Sequence, residues 1–262
     1  MQTKQTMGNQ IKISGVIITF NEEKNIARCI NSMLKVCDEI LVVDSFSTDR
    51  TKEICLELGA RFVENKWAGF LDQKNFAQDQ ASFDYVLQLD ADEELSEALK
   101  SSILEIKQNW KFDGYRFNRF TNFCGKWIKH SGWYPDAKLR LYDRRKGRWS
   151  GLDPHPGVEM SADSSTSKIK GDLLHYSFDS YEDLIIRSAS YAKQAAHAMK
   201  QMGKSTNSLK MTFSPAVRFF KDFILRGGFR DGFEGYIICK TAAYYTFLKY
   251  MYLKILNQGN SI

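Results

Sequence analysis

The sequence has few cysteines, and they stand in no useful arrangement. The five (Cys29, Cys37, Cys55, Cys124, Cys239) are odd in number, widely spread, and make no CxxC pair or Cys/His ligand spacing. A disulfide-stapled module is excluded and a reducing compartment is expected. No uncharged stretch approaches the roughly 18 to 20 residues needed to cross a bilayer, and the longest are Ile13 to Asn21 and Thr241 to Leu248. The first ten residues are polar with no apolar region behind a basic start, so no secretory signal is read and a cytoplasmic chain is expected. Also missing are internal repeats, a dinucleotide-binding glycine turn, a P-loop and any recognised nucleic-acid motif, so nucleic acid is not an expected partner.

What is present is a chain of 262 residues with 43% hydrophobic content, enough for one large domain or a domain with an appendage. Its net charge is +6, and the surplus is localised: residues 1 to 177 carry 25 cationic and 25 acidic side chains, the remaining 85 carry 12 and 6. Such asymmetry points to an anionic surface as partner of the C-terminal third.

Strand and helix patterns alternate over the first hundred residues. Ile13 to Phe20 reads as a strand, Asn21 to Lys35 as a helix through Ile26, Ile30 and Leu34, and Glu39 to Asp44 as a second strand. Thr48 to Leu58 reads as a helix, Ala60 to Val63 and Tyr85 to Leu89 as strands, and Ser96 to Trp110 as a further helix. This order predicts an α/β fold with a parallel sheet, which binds ligands beyond the carboxyl ends of its strands. Gly114 to Trp149 alternates aromatic and basic residues and predicts added strands and loops, and Ser161 to Ser167 an exposed polar loop. After Phe178, two or three amphipathic helices are expected, with apolar stripes through Phe213, Val217, Phe220 and Ile224 and through Ile237, Tyr244, Leu248 and Ile255.

The polar residues just after the strands are the candidates for chemistry. In an extended chain the carboxylates of Asp90 and Asp92 share a face and suit Mg²⁺ or Mn²⁺, which keeps one or two carboxylates and completes its shell with phosphate oxygens. The alternative is a solvated acidic turn, with Glu93 and Glu94 in the first turn of a helix. Asp44 stands where a carboxylate can accept hydrogen bonds from a nucleobase or ribose, while Ser47 to Asp49 cap the next helix. Thr19 to Glu23 combines a helix start with polar groups beside the same crevice.

The strings VIITFNEEKNI, DEILVVDSFSTDRT, QKNFA (Gln73 to Ala77) and LQLDADEEL, in this order and spacing, resemble family 2 glycosyltransferases of the GT-A fold. Gly125 to Trp149 (GKWIKHSGWYPDAKLRLYDRRKGRW), Leu173 to Phe178 and Phe223 to Tyr236 (FILRGGFRDGFEGY) are similar to the bacterial lipopolysaccharide core β-glucosyltransferase-like subgroup. The resemblance implies a GT-A, Rossmann-like, mostly parallel sheet over residues 11 to 177 and a C-terminal helical appendage over 178 to 262. It further implies a nucleotide-sugar donor, with Phe20, Asn21 and Glu22 by the base and ribose and Asp44 on a uracil. Lys74 would stand as a nearby cation, Asp90 on ribose or the metal's water, and Asp92 as metal ligand.

For the general base the subgroup has a His-Glu pair, whereas this chain reads GLDPHPGVE, with a proline after His155. The candidates are therefore Asp153 and Glu159, with Asp136 behind them. Arg140 and Arg144, in a cluster with Lys138, Arg145 and Arg148, together with Trp133 and His155, are the expected acceptor contacts; Trp127, Trp133 and Tyr134 could stack on sugar rings, though packing in a core is the more common outcome for such aromatics. His175 is left between ligand orientation and packing. The expected reaction moves a hexose, glucose first, from a UDP-sugar to a lipid-linked saccharide acceptor of lipopolysaccharide or lipooligosaccharide core, at the inner face of the cytoplasmic membrane. The rival readings are a non-catalytic sugar-nucleotide or membrane-binding module and a nucleotidyltransferase using the same acidic pair.

Overall fold

The structure is a computed structural model that describes residues 10–151 and 156–261. The chain forms two compact units: Met1–Arg119 with Asp136–His175, and Phe120–Pro135 with Tyr176–Ile262.

The first unit begins with β1 (Ile13–Thr19), α1 (Ile26–Met33), β2 (Glu39–Asp44), α2 (Thr51–Glu57), β3 (Arg61–Glu64), α3 (Phe70–Asp79) and β4 (Tyr85–Asp90). The strands lie parallel in the order β3-β2-β1-β4. Every residue of β1 is buried, as expected for a strand covered on both faces. Alternation then feeds two cores. Ile13 and Ile17 face Ile30 and Met33 of α1, while Val16 and Ile18 face Ala77 of α3. α3 lies where only the QKNFA string was noted; its weakly apolar face carries buried Gln73, Lys74 and Gln78, which hides its helical period.

Beyond β4 the sheet becomes antiparallel, through β8 (Asp136–Asp143) and β6 (Gly114–Phe123) to β11 (Thr166–Phe178) and β5 (Glu93–Leu95). The parallel part is thus the first four strands, and the aromatic and basic segment supplies the added antiparallel ones. β9 (Gly147–Ser150) and β10 (Gly157–Met160) make a separate hairpin. β5 removes the alternative reading of Glu93 and Glu94 as helix-start charges, since they belong to a strand paired with β11, and α4 (Glu97–Gln108) starts behind them at the Ser96 cap, where the helix was expected.

The second unit carries β7 (Lys126–Trp127), α5 (Tyr181–Gln201), α6 (Ser208–Phe220), a π-helical turn (Lys221–Leu225), a 3₁₀ turn (Gly228–Asp231) and α7 (Gly232–Asn257). Phe123, Ile128, Leu184 and Ile238 form its core, with Trp133 and Phe178 packed against it. The buried Asp231 carboxylate accepts from the backbone N–H of Lys129 and His130 at 3.3 and 2.9 Å and meets His130 Nδ1 at 2.9 Å. Among the described residues no helix is long and apolar enough to cross a membrane.

Gly171, with φ of +95°, lets β11 cross the start of α4, where a Cβ would fall on the Leu99 backbone nitrogen. Backbone cannot yield as a side-chain tip can, so Gly171→Ala combines strain with overpacking. The expected loss is about 2 kcal/mol or more in chemical denaturation; a loss below about 0.5 kcal/mol would show that the crossing is looser than described.

Candidate active site at the ends of the parallel strands

Strand register builds the site. Thr19 pairs with Asp44, Asp44 with Glu64, and Ile18 with Asp90, so the polar ends of β1, β2, β3 and β4 stand in one row. The loops that follow β1 and β2 cap each other. Asn21, in the left-handed region with φ of 52°, receives a bond on its side-chain oxygen from Thr48 N–H at 2.8 Å and donates its own N–H to Ser47 Oγ at 2.7 Å. Glu22 N–H goes to Thr51 Oγ1 at 2.8 Å, Glu23 N–H to Asp49 Oδ2 at 3.1 Å, and Arg50 N–H to Glu23 Oε2 at 3.1 Å. Ser47 and Asp49 therefore serve the neighbouring loop as well as their own, which helix-by-helix reading could not reveal. Phe20 and Phe46 remain exposed at the tips of the two loops. Phe46 escaped the sequence reading; its signal is an aromatic between turn-forming serines, and its φ is 62°.

Asp44 is buried, and its carboxylate accepts the Ser47 N–H at 2.7 Å and the Ser47 hydroxyl. The loop itself thus uses the group expected on a base. Each carboxylate oxygen retains a second lone pair.

Asp90, Ala91, Asp92 and Glu93 form a turn rather than an extended run, closed by the Asp90 N–H on Glu93 Oε2 at 2.9 Å. The two aspartates are consequently separated in role. Asp90 bonds Lys74 Nζ through one oxygen and Arg140 Nη2, at 3.0 Å, through the other. Arg140 also reaches the fully buried Glu93 at 3.0 Å. Glu93 lies 4.0 Å from Arg119, which is paired at 2.9 Å with Asp136, itself 2.9 Å from Lys138. Burial works to raise the Asp90 carboxyl, but Lys74 and then Arg140 outweigh it and hold it well below the ordinary range. Burial lowers the Lys74 ammonium, opposed by Asp90 and assisted by Arg140. Arg140 stays charged, because Glu93 and Asp90 overcome its desolvation.

Asp92 stands outside this network, partly exposed, with His175 Nε2 at 3.3 Å from its Oδ2. Among the described residues no three His, Cys, Asp or Glu side chains cluster as a complete metal cage. One carboxylate outside the Lys74–Arg140 network would suit Mg²⁺ or Mn²⁺ together with a diphosphate, since these ions take few protein ligands and borrow phosphate oxygens.

Trp149 covers the network from the hairpin side. Its ring centroid lies 4.6 Å from Lys74 Nζ and 5.3 Å from the Arg140 guanidinium, and its backbone N–H and C=O are held by Asn75 at 3.2 and 3.0 Å. Gln88, buried within β4, accepts the Trp149 indole N–H and donates to the Lys74 carbonyl at 3.0 Å. A glutamine in an apolar strand must find such partners, and that was the available signal for this support.

Several expected roles change. Arg140 is buried and bonds Asp90 and Glu93 through Nη2 alone, while its Nε and Nη1 have no hydrogen-bond partner among the described residues. Arg144 donates to the carbonyls of Gln78 and Asp79 at 3.0 and 3.3 Å, where it caps the C-terminus of α3. Glu159 is exposed opposite Arg148, whose guanidinium is held by Asp79, while Trp149 is the residue of β9 that turns inward. The hairpin's alternation thus points Glu159 outward. Asp136 is clamped between Arg119 and Lys138. Trp133 is a packing residue of the second unit, with ring centroids 5.9 Å from Phe123 and 5.8 Å from Phe178. Asp153 and His155 lie outside the described residues.

Residues 14–158 match the family described as glycosyl transferase family 2. An uncharacterized glycosyltransferase of Rickettsia prowazekii is 33% identical over 257 residues, covering 94% of this chain and 88% of the relative. A lipopolysaccharide core biosynthesis glycosyltransferase of Rhizobium meliloti is 30% identical and covers 91% of this chain and 90% of the relative. Among solved structures, glucosyl-3-phosphoglycerate synthase of Mycobacterium tuberculosis aligns with a TM-score of 0.48 at 18% identity, over 76% of this chain and 82% of that one.

Removing Arg140 leaves two carboxylates, one fully buried, without their shared cation. Arg140→Leu is expected to destabilise the protein by about 3 to 5 kcal/mol in urea unfolding. A change under about 1 kcal/mol would mean that solvent or relaxation compensates Glu93 and that the network is not buried as described.

Proposed function

We propose, on the premise that this chain belongs to glycosyl transferase family 2 and is a glycosyltransferase, that it moves a hexose, glucose first, from a UDP-sugar to a saccharide acceptor with inversion at the anomeric carbon. The observation that carries the reading is the register that aligns Thr19, Asp44 and Asp90 along one edge, with Asp92 in the turn just beyond. Such an edge is where an α/β sheet receives a nucleotide. Phe20 and Phe46 offer aromatic surface to a base, and Asn21, Glu22 and Asp44 offer acceptors to uracil and ribose.

Asp92 would hold a divalent cation, Mg²⁺ or Mn²⁺, which when bound supplies charge stabilisation to the departing diphosphate. Asp90, already neutralised by Lys74 and Arg140, acts as a fixed wall for that site and presents its residual acceptor capacity to ribose. His175 orients the Asp92 carboxylate. In the chemical step an acceptor hydroxyl oxygen bonds to the anomeric carbon as the bond from that carbon to the diphosphate oxygen breaks, and UDP leaves. The hydroxyl proton passes to a carboxylate base. We assign that base to Asp153, because Glu159 turns to solvent and the Asp136 carboxylate is already occupied by Arg119 and Lys138, both at 2.9 Å. The likeness to a lipopolysaccharide core biosynthesis glycosyltransferase supports a core saccharide as acceptor, and we further propose that this acceptor is lipid-linked and met at the inner face of the cytoplasmic membrane.

Asp92→Ala is expected to lower UDP release from UDP-glucose and acceptor by at least a hundredfold with an unchanged melting temperature, and EDTA to do the same to the unaltered protein. Asp153→Asn should cut turnover about a hundredfold with little change in donor affinity. Full turnover by folded Asp92→Ala contradicts the metal role, normal turnover by Asp153→Asn contradicts the base, and release of pyrophosphate instead of UDP favours a nucleotidyltransferase.

A further inference from the structure

The second unit treats its two long apolar helices differently, and of the α7 stripe expected from sequence only Leu248 is buried, with Ile237 and Ile255 half-buried and Tyr244 exposed. In α7 the side chains of Ile238, Leu248, Leu253 and Leu256 are buried. α6 differs in having no buried residue. Met211, Ser214, Pro215 and Phe219 are its half-buried positions, and Asp222 in the π turn continues that inward row.

Leu209, Phe213, Val217, Phe220 and Ile224 project on the opposite side, each between 45 and 68% exposed. At 3.6 residues per turn they fall within about a quarter of the helix circumference. Leu225, at 71%, and Phe229 and Phe233 carry the exposed apolar surface onward through the π and 3₁₀ turns. A ridge this continuous is unusual on a free surface and marks an interaction site.

The charges around it identify the partner. Between Lys204 and Phe233 there are six cations, Lys204, Lys210, Arg218, Lys221, Arg226 and Arg230, and two acids, Asp222 and Asp231. Both acids are buried: Asp222 is turned inward and bonded by Arg218 and by Arg226 at 3.0 Å, and Asp231 is held by the His130 segment. The exposed surface of this stretch is therefore apolar and cationic, with no exposed carboxylate. A protein partner usually meets a mixed polar rim, whereas an amphipathic helix with an aromatic ridge flanked by cations matches the boundary between anionic headgroups and acyl chains.

We infer that the outward ridge of α6 and the turn after it is the surface by which this protein docks on an anionic lipid bilayer, lying in the interface without crossing it. The apolar side chains enter the headgroup boundary while Lys210, Lys221 and Arg230 meet lipid phosphates. The purpose rests on the reading of a lipid-linked acceptor. The docking itself is scored without donor or acceptor, so its failure and the failure of that reading are separate results.

The experiment is co-sedimentation of the full chain with phosphatidylcholine vesicles and with vesicles containing 30% phosphatidylglycerol, at low and high salt. Binding to the anionic vesicles should exceed binding to neutral ones by at least tenfold and weaken in salt. Phe213→Ser combined with Val217→Ser should lower it at least tenfold with an unchanged circular dichroism spectrum and unchanged UDP binding. Lys210→Glu combined with Lys221→Glu should lower it and blunt its salt dependence. Equal absence of binding to both vesicles overturns the inference, as does unaltered binding by the apolar variant. A dimer in light scattering that the apolar variant converts to monomer, with vesicle binding unchanged, also overturns it and assigns the ridge to a second copy.

Discussion

The bonds of Arg140 to Asp90 and Glu93 are the constraint on which the first unit depends. A guanidinium and a carboxylate taken out of water each forfeit several kcal/mol of hydration, recovered only when every charge has a partner in good geometry. Here one cation on β8 satisfies a carboxylate at the end of β4 and another on β5, with Lys74 of α3 completing the set. Three strands and a helix are fixed by one requirement. The turn between Asp90 and Glu93 cannot open without stranding a charge, and Asp92 is held out of the network at its tip.

This arrangement divides labour between two aspartates that look equivalent in sequence. Asp90 is neutralised from both sides and contributes shape and a fixed field. Asp92 lies outside that network and is partly exposed, with His175 Nε2 3.3 Å from its Oδ2. A pair of unpartnered carboxylates would repel each other in the absence of a cation, whereas Asp90 is neutralised by Lys74 and Arg140 and so adds little repulsion to Asp92. The mutual capping of the loops after β1 and β2 acts in the same way on the proposed nucleotide side, since the Asn21, Glu22 and Thr48 N–H groups are bonded within the loops themselves.

Much of the fold was legible because it follows from local patterns. The strand EILVVD is read to the residue, β1 and β4 to within one, and α4 to within two at its end. What escaped was set by distant partners. Glu93 reads as a helix-start charge because its cation lies 47 residues away in β8. Arg140 and Arg144 read as phosphate binders because a side chain's partner is invisible in the chain, and one bonds Asp90 and the buried Glu93 through Nη2 while the other caps a helix. α3 carries its polar contacts, Gln73, Lys74 and Gln78, on the inward face, so its pattern is inverted. The apolar stripes of α6 and α7 look alike in sequence, but the α6 stripe is exposed throughout, whereas α7 buries a different row, Ile238, Leu248, Leu253 and Leu256, which shares only Leu248 with the expected stripe.

The central claim is that the aligned strand ends take a uridine diphosphate through a divalent cation held at Asp92. Calorimetric titration of UDP into the protein with and without Mn²⁺ tests it most directly, since it needs neither acceptor nor turnover. One UDP per chain should bind in Mn²⁺, with affinity falling at least tenfold when the metal is withdrawn or when Asp92 is replaced by Asn. Absence of saturable binding with metal present, or binding indifferent to both metal and Asp92, would contradict the account.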